Sequence, residues 1–473
     1  MRDSTGWGCR EVVPPQACAS DERAALGETS CVPVGRCETP VEASLFVDQH
    51  GPTDATHFTS IGAAIAAAAD GAVVGIAPGT YREALTLRRS VRLLGHCAAR
   101  VVLEAPSAGF ALVAEAGAEV ELRGVTVRSG AVSLVSRDRG RLVAREVVLT
   151  ASEGAAAVVR DQDSRLTLER SVVRTASTGH QIQAAASHGG LLELVDCEVE
   201  AHAAVAIVVE GTGSRGRIVR TIISGPGDDA SSGAVPAGQV TASAGGALDV
   251  EDALLRDQRG AGVLVTSGAA VTVQRSVIAG TRQLGGFGGT ALLAEGAARV
   301  EGTTVRAPRG LGFGGRGAAS VLEVRGSVFV GGSMPCRSST DCATLGARIE
   351  GRLDLRDSAL LRGNYAGVLV AGSGASAAVR DSVIEGTRVA GDVGCAVCAG
   401  SSTSVLLERV ALLANEGQAL YLDELSRGVV REAVVAGGRD LGPGAAAIAV
   451  AARATLELSR SALVGNERVG VQM

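Results

Sequence analysis

An eight-residue phrase that recurs fourteen times constrains the fold of this chain more than any other feature. "LTLERSVV" (residues 166–173) is one copy, and "LELSRSAL" (residues 456–463) repeats its pattern 290 residues later. Successive copies are 22 to 32 residues apart. Repetition at this period indicates a solenoid, in which each repeat packs against its neighbours. The fifth residues of the copies are Gly124, Glu146, Arg170, Asp196, Arg220, Asp252, Arg275, Gly302, Gly326, Asp357, Asp381, Arg409, Glu432 and Arg460.

The polarity of the phrase identifies the kind of solenoid. Position three is apolar in every copy, position eight is apolar in every copy, and position two is mostly polar. Alternation with period two predicts strands rather than helices. A straight strand would place positions three and eight on opposite faces, so we expect a bend at positions four to five that turns both inward. Strand, bend and strand, once per ~25 residues, predict a parallel β-helix.

Positions five and six of the phrase have separate predicted roles. Position six holds small residues such as Ser171 and Thr221, which we expect to face inward just after the bend. Cys197 stands at this position, so it is interpreted as a buried small residue rather than a nucleophile. Position five is predicted to face outward. Its charges alternate in sign from Glu146 to Arg275, and neighbouring turns ~4.8 Å apart would pair them.

The domain organisation follows from where the repeats begin. Residues 1–44 form a small Cys-rich N-terminal module, and residues 45–473 form the parallel β-helix. Within the latter, residues 45–118 supply a short capping helix and the opening turns, and residues 119–473 supply about fourteen recognisable turns. The helix is predicted to begin near Ser60 and stop at Gly71, with Ile61, Ile65 and Ala68 on one face. The predicted class is therefore all-β, a single-stranded parallel β-helix solenoid.

Two stretches resemble known proteins. "HFTSIGAAIAAAADGAVVGIAPGTYREALTLRRSVRLLGH" (residues 57–96) resembles the first segment of the pectin-lyase-like superfamily, right-handed parallel β-helices that mostly act on polysaccharides. The head "GWGC…SCVPVGRC" resembles that of bacterial surface proteins that join a Cys-rich module to a β-helix. The resemblance implies a polysaccharide or surface-protein partner but no particular activity. The Arg-Ile-Lys motif of galacturonan hydrolases is missing, because the chain has no Lys.

Candidate catalytic residues are few. Asp228 and Asp229 in "GPGDDASSG" are the best acid pair for catalysis or Ca²⁺ binding. Adjacent acids in a Gly-rich segment are, however, typical of solvated turns. One Trp and three Tyr in 473 residues leave little material for an aromatic sugar cleft. The sequence therefore favours a non-enzymatic protein with no cofactor.

The cysteines suggest disulfides and an oxidising compartment. Their clusters are local and loop-bound, which is typical of exported proteins. A four-Cys zinc site built from Cys336, Cys342, Cys395 and Cys398 is the alternative. We expect a secreted or outer-surface bacterial protein whose secretion or lipoprotein signal precedes this chain. The disulfide candidates are Cys9, Cys18, Cys31, Cys37, Cys336, Cys342, Cys395 and Cys398.

Charge and loop pattern complete the functional prediction. A net charge of −5 without basic clusters excludes a nucleic-acid footprint, and the sequence predicts no transmembrane segment. Gly-rich insertions in alternate turns, and the 51-residue spacing of Asn364, Asn415 and Asn466, indicate a two-turn unit. A row of such loops favours a binding or scaffold protein. The alternatives are a polysaccharide-active enzyme of uronate lyase or hydrolase type, and an adhesin fragment that associates end to end through its C-terminal turn.

Overall fold

The computed structural model describes residues 11–37, 42–105, 109–151, 154–175, 181–201, 204–225, 239–266, 268–282, 289–306, 308–331, 345–389, 394–439, 447–467 and 470–473. They belong to two compact units, residues 11–255 and residues 256–473. In each unit every complete turn contributes one strand to each of three parallel sheets, and the first sheet alone also contains Leu45–Val47 and His57–Phe58. The predicted parallel β-helix is therefore confirmed.

In the unit of residues 11–255, the first sheet contains Leu45–Val47, His57–Phe58, Ala72–Ile76, Val91–Gly95, Glu119–Arg123, Arg141–Arg145, Arg165–Glu169, Leu191–Val195, Arg215–Val219 and Ala247–Glu251. The second sheet contains Gly79–Tyr81, Val101–Glu104, Thr126–Ser129, Val148–Ala151, Val172–Thr175, Glu198–Glu200 and Ile222–Ser224. The third contains Leu85–Leu87, Phe110–Ala114, Val132–Ser136, Ala157–Arg160, Gln181–Ser187, Ala204–Glu210 and Val240–Ser243. A short antiparallel pair, Glu22–Arg23 and Val32–Pro33, precedes them.

In the unit of residues 256–473, the first sheet contains Ala270–Gln274, Ala297–Glu301, Val321–Arg325, Arg352–Arg356, Ser376–Arg380, Ser404–Glu408, Arg427–Arg431 and Thr455–Ser459. The second contains Val277–Ala279, Thr304–Arg306, Val328–Val330, Ala359–Leu361, Val383–Glu385, Ala411–Leu413, Val434–Ala436 and Ala462–Val464; Leu254–Arg256 spans the boundary between units. The third contains Ala261–Val265, Thr290–Ala294, Leu311–Gly315, Leu345–Ile349, Ala366–Val370, Cys395–Ala399, Gln418–Leu422, Ile448–Val450 and Val471–Gln472.

The repeated phrase occupies the first sheet, a bend and the second sheet, as predicted. Leu168 at position three and Val173 at position eight are both fully buried. The same holds for the equivalent residues of the other copies up to Val430 and Val435. In the last copy the position-three residue, Leu458, is 38% exposed. The two apolar columns of the phrase are therefore the core of both units.

The bend between the two strands lies at position five. All fourteen position-five residues have positive φ, between 46° and 65°. Eleven of them are Arg, Asp or Glu rather than Gly, although side chains disfavour this left-handed region. The stacked turns hold the conformation, because in at least twelve of the fourteen bends the N–H donates to the turn that follows, as from Arg170 to the Val195 carbonyl (3.0 Å).

Position six is a hydroxyl residue in eight of the fourteen copies, and most of these hydroxyls, which form a column, are buried. Each hydroxyl donates to the carbonyl two residues earlier, as in Ser382 to Arg380 (2.6 Å). Each also accepts the backbone N–H of the equivalent residue in the preceding turn, as Ser382 does from Ser358 (3.2 Å). Cys197 has the same place, is buried, and donates to the Val195 carbonyl at 3.3 Å. Small size was predicted here; the acceptor role was not.

The charges at position five pair between neighbouring turns. Arg220 lies 2.7 Å from Asp196, and Arg170 lies 3.2 Å from Glu146. Asp381, which follows Asp357 in the series, pairs instead with Arg409 at 2.6 Å. These side chains are partly exposed, so each pair contributes only ~0.2–1 kcal/mol.

The predicted capping helix comprises Ile61–Ala67. The Ser60 hydroxyl accepts the Ala63 N–H at 3.2 Å, which caps the first turn. The Glu83 carboxylate accepts the N–H groups of Ile61 (2.8 Å) and Gly62 (2.7 Å). Of the predicted inward face, Ile61 is buried and Ile65 is partly buried, whereas Ala68 is buried but lies just beyond the helix. The helix ends four residues before the predicted Gly71, because Ala68 already has extended backbone.

Residues 11–37, the N-terminal arm, pack on the outer face of the second sheet. The Arg174 guanidinium donates to the carbonyls of Ala19, Ser20 and Glu22 at 2.8–3.1 Å. Glu198 is buried and accepts the Ala24 N–H at 2.7 Å. Val34 joins a small core with residues of the β-helix. The arm thus docks on the solenoid, and the predicted boundary at residue 44 stays a prediction.

The Gly-rich insertions lie mainly outside the described residues. The residues that flank them end second-sheet strands and begin third-sheet strands, as at Ser224 and Val240. The 51-residue spacing of the asparagines does not reflect equivalent positions. Asn364 forms a β-bridge with Arg388, whereas the Asn415 side chain accepts the N–H of Thr387, one residue before Arg388. Asn364 is therefore one residue out of register with Asn415. Among the described residues, no helix has the length and apolarity that crossing a bilayer requires.

Candidate functional site

A cleft of 560 Å³ lies in the unit of residues 11–255, at the corner where third-sheet strands pass into first-sheet strands. Its walls come from four consecutive turns, so the repeat itself builds it. The cleft is lined by Arg141, Gln162, Asp163, Ser164, Arg165, His188, Gly189, Leu191, Thr212, Gly213 and Arg215.

Three arginines form a row along the cleft. Arg141 is in register with Arg165, Arg165 with Leu191, and Leu191 with Arg215. Each begins a first-sheet strand and precedes position one of the repeated phrase. Neighbouring strands are ~4.8 Å apart, so successive residues of the row are separated by about that distance. The third residue of the row is Leu191, which is apolar.

The three guanidinium groups are neutralised unequally. Arg141 pairs with Glu119 at 3.1 Å, and Arg165 pairs with Glu193 at 3.0 Å. Within the described part of the chain, Arg215 has no carboxylate at ion-pair distance. Arg215 is exposed at the mouth of the cleft. Its charge is therefore available to an anion from solution.

The floor of the cleft is a stack of tight turns. Asp163, His188 and Gly213 all have positive φ, at 64°, 52° and 84°. The turns are tied together by hydroxyls: the Ser214 hydroxyl accepts the Gly189 N–H (3.0 Å) and donates to the Glu210 carbonyl (2.6 Å). The lining residues include polar groups and the His188 imidazole but no aromatic carbocycle. The cleft therefore offers charge and hydrogen bonds rather than stacking surfaces.

Comparisons with known proteins give similarities of fold. No family model matches the chain, and no curated protein matches it. A periplasmic alginate epimerase aligns at 9% identity over 84% of this chain and 79% of its own, with a TM-score of 0.32. A GH87 α-1,3-glucanase catalytic domain aligns at 10% identity over 91% and 71%, with a TM-score of 0.37.

A pectate lyase aligns at 13% identity over 72% of this chain and 81% of its own, with a TM-score of 0.33. The chain resembles the pectin-lyase-like β-helix proteins. At these identities the resemblance concerns architecture only.

Some of the predicted site residues lie outside the part of the chain that the structure describes. Asp228, Asp229, Cys9, Cys336 and Cys342 lie outside the described residues. The acid-pair hypothesis therefore stays a prediction. Among the residues that are described, no three His, Cys, Asp or Glu side chains cluster as metal ligands.

The remaining cysteines are mostly paired. Cys18 bonds Cys31, and Cys395 bonds Cys398. Cys37 bonds Cys97, a partner that sequence reasoning missed because Cys97 lies inside the β-helix, 60 residues away. The sulfurs of Cys395 and Cys398 are bonded to each other. The other two cysteines of the predicted zinc site lie outside the described residues, so that site stays an untested alternative. Such disulfides are typical of extracellular or periplasmic proteins.

Cys197 is a free and buried thiol. Desolvation by burial raises its pKa to about 12. A thiol that stays protonated at neutral pH is a poor nucleophile. The geometry therefore agrees with the interpretation of Cys197 as a packing residue.

The arginine cleft was missed at the sequence level, although a signal was present. "RLVAREVV", "RLTLERSV" and "RGRIVRTI" each begin with the arginine that lines the cleft. Aligning the residue before position one would have shown the row. His188 was visible in the sequence, but nothing in the sequence brought it next to Arg165 and Arg215.

Proposed function

We propose that this chain is an exported β-helix protein, secreted or held at the outer surface, that binds an acidic polysaccharide in the arginine cleft. The supporting observation is the row of Arg141, Arg165 and Arg215, in which Arg215 has no ion-pair partner among the described residues. Guanidinium groups bind carboxylates through two parallel hydrogen bonds.

The chemistry favours a polymer over a single sugar. An exposed guanidinium–carboxylate pair contributes only ~0.2–1 kcal/mol, so one uronate would bind weakly. A chain with several carboxylates engages several arginines at once, and each later contact is intramolecular. The lining Gln162 and Thr212 side chains add hydrogen bonds for sugar hydroxyls. The Gly-rich loops lie largely outside the described residues, so a contribution from them stays a prediction.

The test is calorimetric titration of the full chain with oligogalacturonate and oligomannuronate at low and high salt. We expect binding that weakens as salt rises, because exposed charges are screened. Arg215→Ala should lower affinity about fivefold, which corresponds to ~1 kcal/mol. Arg128→Ala is the matched control, since Arg128 is exposed, has no ion-pair partner among the described residues and lies outside the cleft. Equal losses in both variants, or no binding by the native chain, would reject the proposal.

An enzymatic alternative has one supporting observation. His188 lies in the same cleft as the arginines, and an imidazole nitrogen can accept a proton. A lyase needs such a base to remove the proton next to a carboxylate. Release of unsaturated or reducing ends from polyuronate, lost in His188→Gln, would establish this alternative. Loss in Asp228→Ala instead would locate catalysis at the predicted acid pair.

The third hypothesis is end-to-end association. Sedimentation velocity over a range of protein concentrations tests it, because an assembling chain shifts to larger species on concentration. A strict monomer would remove self-association from consideration.

A further inference from the structure

A tyrosine in the unit of residues 256–473 occupies a backbone position that suits glycine. Three turns have an equivalent residue just before the third-sheet strand, whose N–H donates to the neighbouring turn at 2.8–3.1 Å. Two of these residues are glycines and the third is an aromatic residue at the same φ. They are Gly260 (φ 93°), Tyr365 (φ 90°) and Gly417 (φ 77°). Because a bulky residue is strained there, Tyr365 needs an explanation beyond the fold.

The Tyr365 side chain packs at a patch on the outer face of the third sheet. Leu369, Cys398 and Tyr421 are in register on three successive turns there. They point outward, because the flanking Leu420 and Leu422 are fully buried in the core. The Cys395–Cys398 disulfide forms the floor of the patch. Its partly buried rim consists of Leu311, Tyr365, Leu369 and Tyr421.

The placement of aromatic residues in this unit supports a surface role. Phe313 and Phe329 are fully buried. Tyr365 and Tyr421 are the other aromatic residues of the unit that the structure describes, and both lie partly exposed at this one patch. Tyrosine supplies a large rigid face with a polar end, which suits ligands that are apolar on one side and polar on the other.

Carboxylates stand beside the rings. Asp423 accepts a hydrogen bond from the Ser401 hydroxyl at 3.0 Å and stands two residues after Tyr421 in the chain. Glu424 follows it, and Leu425 next in the chain is 56% exposed. A ligand on the rings therefore meets hydrogen-bond acceptors and negative charge at the end of the Tyr421 strand.

We propose that the patch of Tyr365, Leu369, Tyr421 and the Cys395–Cys398 disulfide binds a neutral glycan. The C–H face of a pyranose is apolar and covers a tyrosine ring, whereas its hydroxyls donate to acceptors such as Asp423. Glu424 pairs with Arg453 at 3.7 Å and Arg348 beside Leu369 pairs with Glu350 at 3.3 Å, so Asp423 is the carboxylate of the patch without an ion-pair partner among the described residues. Its charge disfavours a polyanion, so the ligand differs from that of the arginine cleft. The strain at Tyr365 is retained because a glycine there would remove one of the two rings.

The test is titration of the full chain with cellohexaose, laminarihexaose and chitohexaose, with binding measured by calorimetry or saturation-transfer NMR. At least one should bind, with little dependence on salt. Tyr365→Gly and Tyr421→Ala should each weaken binding at least tenfold, while Arg215→Ala should leave it unchanged. Tyr365→Gly should melt close to the native chain, because glycine relieves the strain at φ 90° but loses the packing of the ring.

The outcomes separate the possibilities. Loss of binding in a folded Tyr365→Gly variant supports the proposal. If that variant does not fold, Tyr421→Ala decides the question alone. No binding of any of the three hexasaccharides overturns the proposal, as does native-like binding by the folded tyrosine variants. If Tyr365→Gly melts lower and still binds, Tyr365 is a packing residue and the proposal is overturned.

Discussion

Replacing Ser358 by alanine tests whether the buried hydroxyl column stabilises the solenoid. The Ser358 hydroxyl accepts the Ser327 N–H at 3.2 Å and donates to the Arg356 carbonyl at 2.6 Å. Both serines are buried, at 5% and 1% exposure. The Arg356 carbonyl keeps a second donor in the variant, the Gly326 N–H at 3.1 Å. The Ser327 N–H would be the one group left without a partner.

The magnitude follows from that single group. A buried donor left unsatisfied costs about 1–3 kcal/mol. In a unit of this size, each kcal/mol lowers Tm by about 2–4 °C. We therefore expect Ser358→Ala to lower Tm by several degrees and the midpoint of urea unfolding in proportion. Calorimetry and urea titration measure both, and hydrogen exchange should show faster exchange at the Ser327 amide.

The control is Ser358→Thr, which keeps the hydroxyl, as Thr303 does at its own turn with the N–H of Ser276 (3.4 Å). The threonine variant should stay close to the native chain. An alanine variant within ~0.5 kcal/mol of the native chain, like a neutral surface substitution, would refute the role given to the column.

Two further predictions concern the cysteines. Because burial raises the pKa of Cys197 to about 12, the native thiol should resist iodoacetamide at pH 8 and react only after unfolding, as peptide mapping would show. A raised pKa favours the neutral form of the thiol, so the contribution of Cys197 to the free energy of unfolding is present below pH 9 and falls between pH 9 and 12. Cys197→Ser should make the loss of stability over this range smaller. An unchanged loss would assign it to other groups. Cys37→Ser removes the link to Cys97 and should increase proteolysis within residues 11–37 while the β-helix stays protected. Unchanged cleavage would mean that Arg174 and Glu198 hold the arm without the disulfide.

The architecture was predictable because the same pattern of apolar positions occurs in fourteen copies of the phrase. One copy with apolar residues at positions three and eight is ambiguous, but the stack from Leu122 to Val430 leaves only an inward-facing column as the solution. The bend was also predictable, since those two positions must share a face. Its left-handed conformation was not, because Arg170 or Glu146 at φ near 50° contradicts local preference. Stacking between turns overrides that preference.

The candidate sites were less predictable, because they depend on register between distant residues. The row of Arg141, Arg165 and Arg215 exists only when turns of unequal length are aligned strand by strand. The Cys37–Cys97 pairing likewise depends on where the N-terminal arm crosses the sheet. Tyr365 and Tyr421 are 56 residues apart in the sequence. Nothing local to either residue indicates that they share a patch.

The hydroxyl column has a consequence for how such a chain changes length. From Ser276 to Ser382, five successive turns carry a hydroxyl at position six, and within this run each gives to the next turn the same kind of hydrogen bond, as the series Ser327, Ser358 and Ser382 shows. If one whole turn is deleted or duplicated, the turns that become neighbours can therefore form the same hydrogen bonds. Recombination between copies of the phrase within the gene would lengthen or shorten the protein while each product remained foldable. Families of this kind should differ in turn number more readily than in the residues at the bend.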